Sequence, residues 1–219
     1  YHAAVFESMQ IDLPAVLVNI GGVANLTYVS TDGQKGLIGF DTGPGNALID
    51  DFMMSRLQAT CDLDGKLAAT GNADHALLAN WMRHPYFAKK WPKSLDRQDF
   101  SNLLSDAIFT GLSDSDAAAT LTYLTGCSIA HAIHKLPVMP RSVFVAGGGR
   151  RNLSMMRDLS SCLSMPVVTE KTDAFDADML EAELMAFLAA RFHYGLPTSF
   201  PSTTGCRTAV SGGQLALAR

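Results

Sequence analysis

One carboxylate, Asp41, stands in the run Gly39-Phe40-Asp41-Thr42-Gly43-Pro44-Gly45-Asn46. The apolar residues 37–40 before it read as a strand, and Gly43, Pro44 and Gly45 read as a tight turn. Asn46 then opens an apolar-periodic helix as its cap. A strand end, a glycine turn and a helix N-terminus leave unpaired N–H groups facing an anion and let a ligand approach the backbone. A carboxylate held at that place is a candidate general base; its alternative is to cap the turn that the glycines shape. A second candidate is Gly147-Gly148-Gly149, between an apolar run at 142–146 and a helical pattern from Leu153. Such a loop suits a nucleotide phosphate. It has neither the dinucleotide-binding spacing nor the Gly-Lys-Ser/Thr of a phosphate loop.

Other chemistry-bearing residues are weaker signals. His131 and His134 lie three apart on a predicted helix, a spacing that suits a metal, but no third ligand accompanies them and they read as a surface pair. Cys61, Cys127, Cys162 and Cys206 form no Cys-x-x-Cys pair. They read as scattered, reduced thiols, and no metal site is expected.

The elements that must position these residues follow from periodicity. Residues 15–20 (AVLVNI) form a nearly continuous apolar run, the mark of a strand buried on both faces. Gly21-Gly22 turns the chain into a second strand at 25–30. Asp32-Gly33 signals a hairpin into a third at 36–40. Helices are predicted over 47–59, 73–82, 114–135 and 178–194, and another after Asn152 with Leu153, Met156, Leu159 and Leu163 on one face. Ser113 or Ser115 caps the long helix. Further strands are expected at 142–146 and 166–169. Trp81, Tyr86, Phe87 and Trp91 read as a cluster that packs a loop onto the core. The β-β-β-α opening, an irregular insertion and then α-β-α-β-α give an α/β fold of the ribonuclease-H-like layout, a mixed sheet with helices on both faces.

The 219 residues suffice for one large domain or two small ones, and a net charge of −4 gives no footprint for nucleic acid or an anionic membrane. The apolar stretches fall short of the ~20 residues needed to span a bilayer.

Set in order, nine stretches carry a resemblance: YHAAVF, VNIGGVANLTYV, GFDTGPGNALIDDFM, DGKLAATGN, PKS, AATLTYLT, VAGGGRRN, DMLEAELMAFLAAR and GLPTSFPSTTG. Together they resemble the C-terminal lobe of anhydro-N-acetylmuramic acid kinases, within the actin-like ATPase and sugar kinase superfamily. The resemblance implies that residues 1–219 are one lobe, and that the phosphate-loop lobe lies outside this sequence. It implies a kinase using ATP and Mg²⁺ to open the 1,6-anhydro ring of an amino sugar hydrolytically and phosphorylate O6, in bacterial cell-wall recycling. It further implies a cytoplasmic protein, a homodimer, and a lobe inactive alone. Asp41 matches the family's catalytic base, and Glu181 a glutamate near the sugar and the attacking water. Gly147, Gly148 and Gly149 match the nucleotide loop. Asn19, Gly21, Gly22 and Asn25, with Gly43 and Gly45, match the substrate side of the cleft. After Pro92-Lys93-Ser94 the chain departs from the family's Thr-Gly-Arg-Glu with Leu95-Asp96-Arg97-Gln98, which weakens any sugar contact there, and no role attaches to the tail from Cys206. A non-catalytic nucleotide-binding module of the actin or chaperone type is the alternative.

Overall fold

The computed structural model describes residues 1–105, 109–169 and 177–216, with only the main chain at 34–35. Its sheet has four strands in the order β3-β2-β1-β4. They are β1 (Ala15–Ile20), β2 (Val23–Ser30), β3 (Gly33–Pro44) and β4 (Ser142–Ala146). β1, β2 and β3 form an antiparallel meander, and β4 adds in parallel to β1. The apolar run of β1 is explained by its central position, with Val16 and Val18 buried on one face and Leu17 on the other. A fifth strand at 166–169 is reduced to a bridge, in which Val145 N–H donates to Val168 O and Val168 N–H to Val143 O, both at 2.8 Å.

β3 runs past its expected end at residue 40. Asn25 pairs with Asp41 and Ala24 with Gly43, and a bulge absorbs Thr42, whose hydroxyl donates to Ala24 O at 3.1 Å. Gly43 and Pro44 are therefore strand residues, and the turn itself falls at Gly45 and Asn46. Local Gly-Pro-Gly chemistry yields here to cross-strand pairing.

Helices cover both faces. α2 (Ala47–Leu57), α5 (Asp114–His134) and α6 (Leu153–Leu163) pack on the face of Val16, Val18 and Ile20. Ser113 Oγ caps α5 by accepting from Asp116 N–H. The insertion between α2 and α5 holds α3 (His75–Trp81) and α4 (Pro85–Ala88). It buries Trp81, Tyr86 and Phe87 in the same core, as their composition suggests. The other face receives α1 (His2–Ser8) and the start of α7 (Leu180–His193). The sequence pattern predicts no helix at α1. Two helical turns do not persist alone; burying Phe6, in ring contact with Phe144, contributes ~1.5–3 kcal/mol and fixes them. Of α7 only Leu180 is buried. α8 (Pro201–Thr204) lies over β3 at Gly39.

Candidate active site

Sheet register brings the polar candidates together. Asn19 of β1 pairs with Asn25 of β2, and Asn25 with Asp41 of β3. Directly paired residues project to the same face. The three therefore form one polar row, with Asp41 and Asn19 two strand spacings, ~10 Å, apart. Asn19 also pairs with Ala146, so Gly147 begins where the row ends. The same face meets α7 at Leu180, next to Glu181. Asn19, Gly147, Gly148 and Glu181 line one cleft of about 220 Å³.

Asp41 is fixed from its far side by a loop. Its N–H donates to Lys93 O at 3.0 Å, and Leu95 N–H donates to its Oδ2 at 2.8 Å. Tyr86 Oη donates to the Asp41 carbonyl at 2.6 Å. Lys93 Nζ donates to Tyr86 O at 3.1 Å and lies 4.2 Å from the centroid of the Tyr86 ring. Burial raises the Asp41 carboxyl above the usual carboxylate range, while the Leu95 N–H and the Lys93 charge oppose that rise. Burial first, then the charges of Lys135 and Lys89, lower the Lys93 ammonium to about 8, with Asp41 opposing them. A half-buried carboxylate with a raised pKa, held on one oxygen, is suited to accept a proton.

The glycine motifs interlock through their backbones. Gly45 N–H and Ala47 N–H donate to Gly22 O, and Asn46 N–H donates to Gly21 O at 2.8 Å. A Cβ on Gly45 would stand 2.2 Å from Gly21 O. Asn46 makes no side-chain cap of α2; its Nδ2 donates to Ile20 O at 3.3 Å, which ties α2 to the end of β1. Gly147 has φ +80°, and a Cβ there would lie 2.5 Å from Asn19 Oδ1. A 3₁₀ turn at Gly148–Arg151 separates this loop from α6, which Asn152 caps through Met155 N–H at 2.9 Å. Gly148 is exposed and open to a ligand, whereas Gly149 is buried against Ile20.

Other predicted residues occupy different places. Gly43 and Gly45 are buried, Gly43 against Ser128 and Phe87. They form the floor beneath the row. Gly21 and Gly22 meet only ordinary contacts, so their share in the site lies in their carbonyls. Glu181 is exposed in the first turn of α7. His131 and His134 are not a simple surface pair. His131 is half-buried edge-on to Phe87, and burial lowers its pKa, with Lys135 adding to the effect. The cysteines are not all scattered either, because Cys127 and Cys162 meet at 3.1 Å.

Sequence reasoning misses five residues around these clefts. Tyr86 reads as packing, and its hydroxyl carries no signal of its destination. Lys93 lay within a matching stretch without a role. The Leu95 N–H is a main-chain group, visible in no residue type. Arg150 and Arg151 follow the glycine loop directly, which was the available signal. Both pair with Asp178, at 2.8 and 3.0 Å, and they give the glycine-loop cleft a cationic rim. A neighbouring cleft of about 250 Å³ runs from Gly148 and Arg151 to Asn46 and Asp50. Exposed Gly148 lies beside two guanidiniums that share one carboxylate, Asp178, which leaves a net positive charge suited to an anionic phosphate. For a divalent cation, the described residues offer no group of three or more His, Cys, Asp or Glu side chains. No helix among them is long and apolar enough to cross a membrane.

A family model described as anhydro-N-acetylmuramic acid kinase matches residues 1–218. Anhydro-N-acetylmuramic acid kinases of Rhodopseudomonas palustris (strain HaA2) and Brucella anthropi are 48% and 43% identical, over 99% and 98% of this chain. The chain spans only 58% and 56% of their lengths. Among solved structures, the activator of the 2-hydroxyisocaproyl-CoA dehydratase from Clostridium difficile with bound ADPNP matches with a TM-score of 0.53 at 15% identity, covering 88% of this chain and 66% of that one. The xylulose kinase from Bifidobacterium adolescentis matches at 0.52 and 16% identity, covering 85% of this chain and 40% of that one. At such identities the likeness concerns the fold alone, a mixed sheet with helices on both faces.

Proposed function

This chain belongs to the anhydro-N-acetylmuramic acid kinase family, and on that premise we propose that it is the C-terminal lobe of an ATP-dependent kinase. The whole protein would open the 1,6-anhydro ring of N-acetylmuramic acid with water and phosphorylate O6, yielding N-acetylmuramic acid 6-phosphate. The observation that carries the reading is the row Asp41–Asn25–Asn19 leading to the Gly147–Gly148 cleft. It links a half-buried carboxylate on β3 to a phosphate-suited loop after β4 along one polar row across the sheet.

In this scheme Asp41 accepts the proton of the water that attacks the anomeric carbon, and its negative charge stabilises positive charge developing there. Leu95 N–H occupies Oδ2 and leaves Oδ1 as the basic oxygen. Asn19 and Asn25 orient the sugar's hydroxyls from the adjoining strands, and Glu181 faces the same cleft from α7. Gly147, Gly148, Arg150 and Arg151 would hold the phosphates of ATP, which supplies the transferred phosphoryl group. Mg²⁺ finds no protein cluster in the described residues, and no step is assigned to it. The protein would act in the cytoplasm on a small amino sugar, as a homodimer.

Incubating the full-length protein with ATP and the anhydro sugar, and detecting the 6-phosphate by mass spectrometry, tests the proposal. ATP binding without product would favour a nucleotide-binding module instead. The present chain alone is expected to give no product.

A further inference from the structure

Cys127 and Cys162 meet outside the two clefts of the candidate site. Cys127 lies on α5 and Cys162 on α6, 35 positions apart, and their sulfurs stand 3.1 Å from each other. The approach is a property of the helix crossing. Gly126 lets the α6 backbone come close, since a Cβ there would lie 3.1 Å from Leu159 N. Cys127 follows Gly126 in sequence, and Cys162 is one helical turn beyond Leu159. Both thiols are partly accessible, so a small reagent reaches them.

We propose that Cys127 and Cys162 form an oxidation site, at which a peroxide or a small-molecule disulfide converts the thiol pair into an intramolecular disulfide joining α5 to α6. With hydrogen peroxide the step balances as follows. The Cys162 thiolate attacks one peroxide oxygen, the O–O bond breaks, and water leaves after protonation, giving a sulfenic acid on Cys162. The Cys127 sulfur attacks the Cys162 sulfur, the S–O bond breaks, and the Cys127 proton leaves with the second water. The two thiols lose two electrons, and one peroxide becomes two waters.

The surroundings divide the roles. Hydrogen bonds from the Cys127 S–H and then the Tyr123 hydroxyl hold the Cys162 thiol at about 6, against burial. The bond to Cys162 and then burial push the Cys127 thiol up. Cys162 is therefore the attacking sulfur and Cys127 the resolving one.

The cross-link would join helices that support both halves of the candidate site. On α5, Thr125 Oγ1 donates to Gly45 O at 3.1 Å, beneath the Gly45–Asn46 turn. On α6, Asn152 caps the helix at the end of the 3₁₀ turn that follows Gly147.

The purified protein is treated with one equivalent of hydrogen peroxide at pH 7, its free thiols are alkylated, and unreduced peptides are mapped by mass spectrometry. A peptide pair joining Cys127 to Cys162, about 2 Da below the sum of its reduced halves, is expected. Cys127→Ser and Cys162→Ser should each abolish it, and the Cys61→Ser, Cys206→Ser double variant should keep it. In Cys127→Ser, a sulfenic acid trapped on Cys162 supports the order of attack. Free, alkylated Cys127 and Cys162 in the oxidised wild type, or pairing of either with another cysteine, overturns the proposal. The wild-type peptide map decides even if a serine variant fails to fold. It is also independent of kinase activity.

Discussion

Leu95 N–H reaches Asp41 Oδ2 at 2.8 Å across 54 positions of sequence, and it is a main-chain group that holds the carboxylate. Lys93 O completes the clamp by accepting from Asp41 N–H. Sequence divergence after Ser94 therefore leaves the contact intact, because neither bond involves a side chain of the loop. The loop holds the Asp41 carboxylate in place.

Tyr86→Phe isolates the hydroxyl that donates to the Asp41 carbonyl. Deleting one hydrogen bond in a largely buried setting is expected to lower stability by ~0.5–1.5 kcal/mol in urea unfolding. In the full-length enzyme it should lower turnover while the far-UV spectrum is kept. Unchanged stability together with unchanged turnover would remove Tyr86 from the support of Asp41.

The Lys93 ammonium supplies a pH test. Its folded value of about 8 lies below the ordinary 10.5. Between those values the unfolded chain binds a proton that the folded chain has released. This group therefore makes the fold more stable as pH rises from about 8 towards 10.5. Urea unfolding at pH 7.5 and 9.5 should show a relative gain with pH for wild type over Lys93→Met. Asp41→Asn should move the Lys93 midpoint lower still, because the carboxylate's opposing charge is gone; NMR titration of the lysine side chain reads both.

The interlocked glycines separate two kinds of substitution. Gly45→Ala places a Cβ 2.2 Å from the Gly21 carbonyl oxygen, and Gly147→Ala combines φ +80° with a Cβ 2.5 Å from Asn19 Oδ1. Each is expected to cost ~1–3 kcal/mol. Gly22→Ala, exposed and in ordinary contact with Ala47, should stay within ~0.5 kcal/mol. Equal losses at the three positions in denaturant unfolding would contradict the packing described.

Much of the fold was legible because its signals are local. The apolar run of β1, the Asp32-Gly33 hairpin and the Ser113 cap each depend on a few neighbouring residues. What escaped depends on distant ones. α1 exists because Phe6 is buried against Phe144, and β3 extends because Asp41 and Gly43 find partners in β2. Asp41 was visible as a carboxylate among glycines, while Tyr86 and Leu95 became visible only when the insertion folded against β3. The meeting of Cys127 with Cys162 is likewise a property of two crossing helices, which no spacing rule encodes.

Asp41→Asn in the full-length protein, assayed with ATP and the anhydro sugar by mass spectrometry for the 6-phosphate, tests the central claim most directly. Removing a general base is expected to lower turnover by ~10²–10⁴-fold with the fold and ATP binding retained. Turnover near the wild-type rate would contradict the assignment of Asp41 as the base.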